Sequence, residues 1–129
     1  MAQKSAVRTD RAPAPFRGAP YSQAICLGDL VFVSGQLPLD PATGRVRGAT
    51  IEEQTEQVFA NITAILEEAG TSPARLVKTT VFLTTLDDFA GMNDVYRRYV
   101  GDIPPARSTV PIGALPDGAR IEIEVIAHR

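Results

Sequence analysis

Two periods of hydrophobicity alternate along the chain, and the switches between them mark its elements. Over residues 120–128, Ile121, Ile123, Val125 and Ala127 alternate with Glu122, Glu124, Ile126 and His128. A repeat of two is the signature of a strand with one covered face. Residues 76–84 repeat in the same way, which predicts Val77, Thr79, Val81 and Leu83 on one face and Lys78, Thr80, Phe82 and Thr84 on the other. Residues 23–27 and 30–34 flank Gly28-Asp29, a two-residue turn whose glycine supplies the positive φ of a type II′ hairpin. Val31-Phe32-Val33 is continuously apolar, so this strand is expected to be covered on both faces. Gly35 is expected to end it, ahead of a loop of turn residues over 38–44.

Between these strands the period lengthens. Thr50 and Glu53 form a T-x-x-E capping box, and Val58, Ile62, Ile65, Leu66 and Ala69 then recur at helical spacing up to a stop at Gly70. After a turn at Ser72-Pro73 and the 76–84 strand, Asp87 or Asp88 is expected to cap a second helix. Phe89, Met92, Val95, Tyr96 and Tyr99 would line one side of it. Gly101 and Pro104-Pro105 end that helix. Residues 107–112 read as a strand that Pro111 confines to an edge or a bulge, and Pro116-Asp117-Gly118 is a turn. The order is ββαβαββ, an α+β domain over residues 19–129 with two helices on one face of a mixed sheet. Residues 1–18, rich in alanine, proline and charge, are expected to form a flexible tail. The sheet face away from the helices mixes Phe82 and Ile126 with Lys78, Glu122 and Glu124. Such a face is too apolar to be fully wet, so packing against further copies of the chain is expected.

Composition removes whole classes of chemistry. Thirteen basic residues against fifteen acidic give a net charge of −2, which argues against nucleic-acid or anionic-membrane partners. One cysteine (Cys26) and one histidine (His128) exclude an intramolecular disulfide and a zinc site of Cys and His ligands. Residues 1–16 carry Lys4, Arg8 and Arg11 without an apolar signal core, and no apolar run approaches the roughly 18 residues of a membrane span, so a cytoplasmic protein is expected. Cys26 is expected buried and inert, and His128 solvated. Chemistry must then run on carboxylates, arginines, hydroxyls and backbone. Arg107 follows a stiff proline pair and could grip a carboxylate with two parallel hydrogen bonds, or serve only in a salt bridge. Glu122, with Glu124 as its alternative, could pass protons to and from a water if its setting raises its pKa, or simply face outward. Tyr21 and the strand end at Ser34-Gly35, where a glycine lets a ligand approach backbone N–H groups, are further candidates. Asn93 could cap or bind.

A series of segments is more specific than any of these singly. Ala19-Pro-Tyr-Ser-Gln-Ala24, Val33-Ser-Gly-Gln-Leu-Pro38, the helix containing Asn61, Val77-Lys-Thr-Thr-Val-Phe82, Met92-Asn93 with Tyr96, Pro105-Ala-Arg-Ser-Thr-Val110 and Ile121-Glu-Ile-Glu-Val-Ile-Ala127 occur in this order. Together they resemble the reactive intermediate deaminase A (RidA, or YjgF) family over residues 19–129. The resemblance implies a chorismate-mutase-like fold and a homotrimer with active sites between subunits. It further implies hydrolysis of enamine and imine intermediates such as 2-aminoacrylate to 2-keto acids and ammonia, the 2-iminobutanoate/2-iminopropanoate deaminase reaction, without metal or cofactor. Carried over by position, Arg107 would hold the substrate carboxylate and Glu122 would orient the attacking water. Tyr21 would come from a neighbouring chain, Ser34-Gly35 would offer backbone contacts, and Asn93 and Thr109 would border the ligand. Two departures bear on substrate preference: Thr109 stands where well-known members have cysteine, and the connection over residues 97–106 is shorter. The alternatives are a trimer that senses 2-keto acids or binds a protein without turnover, and a ribonuclease, which the acidic balance and the single terminal histidine disfavour.

Overall fold

Among the described residues, six strands and two α-helices follow the predicted order, with one strand more than the sequence pattern announces. In chain order they are β1 (Ser5–Val7), β2 (Ala24–Leu27), β3 (Leu30–Gln36), α1 (Ile51–Glu68), β4 (Leu76–Leu83), α2 (Phe89–Tyr96), β5 (Ala106–Pro111) and β6 (Ile121–His128). The structure is a computed structural model and describes residues 2–129. All six strands join one sheet in the order β1-β2-β3-β6-β4-β5, with β4–β5 the single parallel pair. A parallel pair needs a crossover, and α2 supplies it. β5, which contains Pro111, forms one edge of the sheet. Edge strands are where a missing N–H costs no ladder bond.

Both helices lie on the same face of the sheet. The capping box at Thr50 is formed: Glu53 N donates to Thr50 Oγ1 at 3.1 Å and Thr50 N to Glu53 Oε1 at 3.1 Å, worth about 1 kcal/mol by comparison with other caps. Val58, Ile62, Ile65 and Leu66 are fully buried as predicted, and Phe59 joins them. Beneath them lie Val31, Val81, Leu83, Ile121 and Ile123. Phe59 stacks on Tyr99 with ring centroids 4.5 Å apart and meets Tyr96 edge-on at 5.6 Å.

Five expectations are corrected. Residues 1–18 are not a loose tail throughout: β1 pairs with β2, and Val7, Thr9 and Ala12 are buried. Backbone pairing with β2 holds residues 5–7, and a buried glutamine holds the stretch that follows. Thr9 N donates to Gln23 Oε1, while Gln23 Nε2 donates to the carbonyls of Thr9, Ala12 and Pro13. Composition describes the tail alone and cannot show a side chain 14 residues away that satisfies its backbone. On β4, Val77 leaves the helix-facing row and is exposed, because a bulge between Leu76 and Lys78 puts Leu76 in its place. Phe32 is not covered on its side of β3; it lies beside Ile126 on the sheet face away from the helices. Finally, Thr85 rather than either aspartate makes the capping bond ahead of α2, accepting from Asp87 N, while Asp88 is taken by Arg120. Phe89 leaves the buried stripe and is exposed.

Candidate functional site

β5 brings Arg107 to the sheet edge. It pairs in register with Thr79, and Thr109 pairs with Val81; Thr79 and Val81 are both fully buried beneath the helices. Neighbours in register share a face, so Arg107 and Thr109 project on the helix side, next to α2. There Arg107 Nη1 donates to Asn93 Oδ1 at 2.7 Å and lies 4.0 Å from Met92 Sδ. The guanidinium carbon sits 4.7 Å from the Tyr96 ring centroid and 5.4 Å from that of Phe89. Both lie within the range of cation–π attraction. Among the described residues no protein acceptor meets Nε or Nη2. The half-buried guanidinium is thus fixed along one edge and one face, with the remaining N–H groups presented outward.

Glu122 occupies the other face. It pairs with Phe82 on β4 and alternates with the fully buried Ile121 and Ile123. Burial, and secondarily the nearby charge of Glu124, pushes its pKa above the ordinary carboxylate value. Beside it runs the bulge of β3, where the register shifts between Val33 and Gln36, so that Gly35 does not end the strand. A Cβ at Gly35 would collide with Glu122 Oε1, so a larger residue there would push that carboxylate out of its present position. Ser34 Oγ donates to the Ser22 carbonyl at 2.6 Å and Ser34 N to the Gln23 carbonyl at 2.9 Å, which fastens the bulge to the segment after Tyr21. Tyr21 is exposed, and its hydroxyl accepts from Phe16 N.

The seven candidate residues therefore fall into two groups. Arg107, Asn93 and Thr109 gather on the helix side at the β5 edge. Glu122, Gly35 and Ser34 gather on the opposite face, with Tyr21 adjoining through Ser22. Arg107 and Glu122 project from opposite faces of one sheet and do not converge within a chain. A concavity of about 640 Å³ contains neither of them; Tyr21, Gln23 and the segment around Arg8 to Pro15 line it. It reflects the way the N-terminal segment crosses the fold. The sequence reading did not single out Phe89 and Tyr96 as neighbours of Arg107; their spacing from Asn93, four residues before and three after, is the signal that puts all three on one side of α2. Cys26 is free and buried, and His128 is exposed. Among the described residues no three His, Cys, Asp or Glu side chains gather as metal ligands, and no helix is long and apolar enough to cross a membrane.

Fold and site together define a small α+β protein with an outward-presented arginine at a sheet edge and a desolvated glutamate on the opposite face. The chain belongs to the RidA/YjgF family: the family model described as Endoribonuclease L-PSP matches residues 9–129. A RutC family protein of Pyrococcus abyssi is 49% identical, with 98% of each chain covered. The 2-iminobutanoate/2-iminopropanoate deaminase of Capra hircus is 41% identical over 94% of this chain and 87% of that protein. Among solved structures, RidA from an Antarctic Psychrobacter superposes with a TM-score of 0.90 at 44% identity, covering 97% of this chain and 99% of that one.

Proposed function

We propose that this protein hydrolyses 2-imino acids to 2-keto acids and ammonia in the cytoplasm, in sites that copies of the chain build between them as a homotrimer. The observation that carries it is the state of Arg107: a guanidinium immobilised by Asn93 and Tyr96 whose free N–H groups suit a carboxylate. Identity to a named 2-iminobutanoate/2-iminopropanoate deaminase adds support. Because Arg107 and Glu122 leave the sheet on opposite faces, the arginine group of one copy would meet the glutamate group of another. The partly apolar face that carries Phe32 and Glu122 would be covered by the same association.

In such a site the imine carbon, already electrophilic when its nitrogen is protonated, needs a positioned water more than a nucleophile. The water oxygen bonds to that carbon while its proton passes to the Glu122 carboxylate. Glu122 then returns that proton to the nitrogen; the C–N bond breaks as the hydroxyl oxygen forms the carbonyl, and the hydroxyl proton passes to the departing ammonia, leaving the keto acid and ammonium. A carboxylate with a raised pKa is the stronger base for the first transfer. Thr109, on the same face as Arg107, would border the ligand, so its replacement of a thiol bears on which imine fits. A ribonuclease is disfavoured by the net charge of −2.

The test is to generate 2-aminoacrylate from serine with a pyridoxal-phosphate dehydratase and trap the survivor with semicarbazide. Wild type is expected to suppress the adduct and Arg107→Ala to leave it at the uncatalysed level. If wild type also leaves it there, yet binds 2-ketobutyrate, the protein is a keto-acid binder and not this deaminase.

A further inference from the structure

Arg107 is useful as a carboxylate anchor only if its plane is held, and arginine has four rotatable bonds with which to escape. One hydrogen bond, from Nη1 to Asn93, leaves the guanidinium free to swing about that contact. Tyr96 limits this freedom, because the guanidinium carbon lies over its ring, 4.7 Å from the centroid, with the exposed Phe89 ring farther off at 5.4 Å. The tyrosine ring is itself fixed. It is 6% exposed, Phe59 packs on it edge-on, and its hydroxyl shares a buried 2.7 Å hydrogen bond with Thr79 Oγ1. Thr79 is the β4 residue in register with Arg107 itself. The strand pair that carries the arginine thus also anchors the ring that flattens it. A tyrosine filling only a core would be served as well by phenylalanine and would not need the hydroxyl bonded to that position.

We infer that Tyr96, anchored by Thr79, is a positioning residue that sets the plane of Arg107 so that its free N–H edge meets the substrate carboxylate. This rests on the proposed carboxylate role of Arg107. Tyr96 touches no substrate; it acts through the guanidinium, and its contribution is felt in substrate affinity rather than in the water attack at Glu122.

The experiment compares kcat and KM for imines generated in situ by an amino acid oxidase, using Tyr96→Leu, the unbranched Tyr96→Met, and Tyr96→Phe combined with Thr79→Val. Removing the ring is expected to raise KM about threefold to tenfold, the range of a partly desolvated cation–π contact, with kcat within about twofold. The Phe/Val pair keeps the ring but removes its anchor without leaving a hydroxyl unpaired, and is expected to raise KM by about twofold to threefold, less than either ring-less variant. In the wild-type NMR spectrum the Arg107 guanidinium protons are expected to be shifted upfield by the ring, and to lose the shift in the Leu and Met variants. An unchanged KM in both ring-less variants, or equal losses in KM and kcat together with a lower melting temperature, overturns the inference while Arg107→Ala still abolishes turnover. Should neither ring-less variant fold, an unshifted wild-type guanidinium overturns it instead. A wild type that neither hydrolyses imines nor binds 2-ketobutyrate removes the reading of Arg107 on which the inference depends.

Discussion

At the residue scale, two side chains do opposite things with their surroundings. Arg107 gains contacts from Asn93, Tyr96 and Phe89. Glu122 loses solvent, and its carboxyl is held above the ordinary pKa by burial and then by Glu124. The sign of the second effect is definite. Between the unfolded pKa and the raised folded one, the native state binds more protons than the unfolded state, so this group's contribution to stability falls as pH rises through that window. Glu122→Gln removes the penalty: its melting temperature is expected to exceed wild type at neutral pH and to converge on it in acid, with imine hydrolysis lost. Wild-type activity should decline as pH drops through the raised Glu122 pKa, which a pH–rate profile would read. Gly35→Ala tests the same carboxylate by sterics alone. The added methyl meets Glu122 Oε1, so turnover is expected to fall at least tenfold, by analogy with small misplacements of catalytic groups, while circular dichroism stays native.

At the scale of elements, side-chain hydrogen bonds to backbone decide what the strand and helix patterns leave open. Gln23 holds the segment from Thr9 to Pro13 through four hydrogen bonds, and Arg11 adds contacts to Glu67 and the Ala64 carbonyl on α1. Asn61 does similar work from α1, donating to the carbonyls of Leu37 and Leu39 just after β3. Gln23→Ala leaves several of these groups unpaired, at about 1–3 kcal/mol for each group kept from water. The expected result is a melting temperature several degrees lower, with faster hydrogen exchange at residues 5–13 than in α1. Uniform exchange across both segments would mean that β1 owes its place to something other than Gln23. The bidentate pair between Arg120 and Asp88, the latter 5% exposed, ties the start of β6 to the residue before α2. It therefore links the element that carries Glu122 to the one that carries Asn93 and Tyr96.

For the whole molecule, the division of candidates between two sheet faces yields a prediction that no single-chain site would satisfy. Arg107→Ala and Glu122→Gln are each expected to be inactive alone. Unfolded together and refolded, they should regain activity, since some interfaces then join an intact arginine to an intact glutamate; random mixing in a cyclic trimer gives about a quarter of the sites. Activity that stays at zero in the mixture, with mixed oligomers demonstrated by mass spectrometry, would place both residues in one chain's site or neither.

The sequence by itself determined the elements that bury a regular stripe. Ile121 to Ala127 alternates without interruption, and β6 follows it residue for residue; the capping box at Thr50 and Glu53 opens α1 where it was read. Such features are local, because each residue's face is set by its distance from its neighbours in the chain. Arg107, Glu122 and Gly35 were legible as chemical candidates for the same reason: residue type states what a group can do. What only the tertiary structure decided depends on contacts between distant segments. Pairing with β2 makes a strand of residues 5–7, a bulge turns Val77 outward, and Arg120 takes Asp88 from its cap. Above all, Arg107 finds Asn93 and Tyr96 through the β4–α2–β5 crossover, while Glu122 is carried to the opposite face. Which face a residue occupies follows from strand register, and register is a property of pairs of strands that no single stretch of sequence contains.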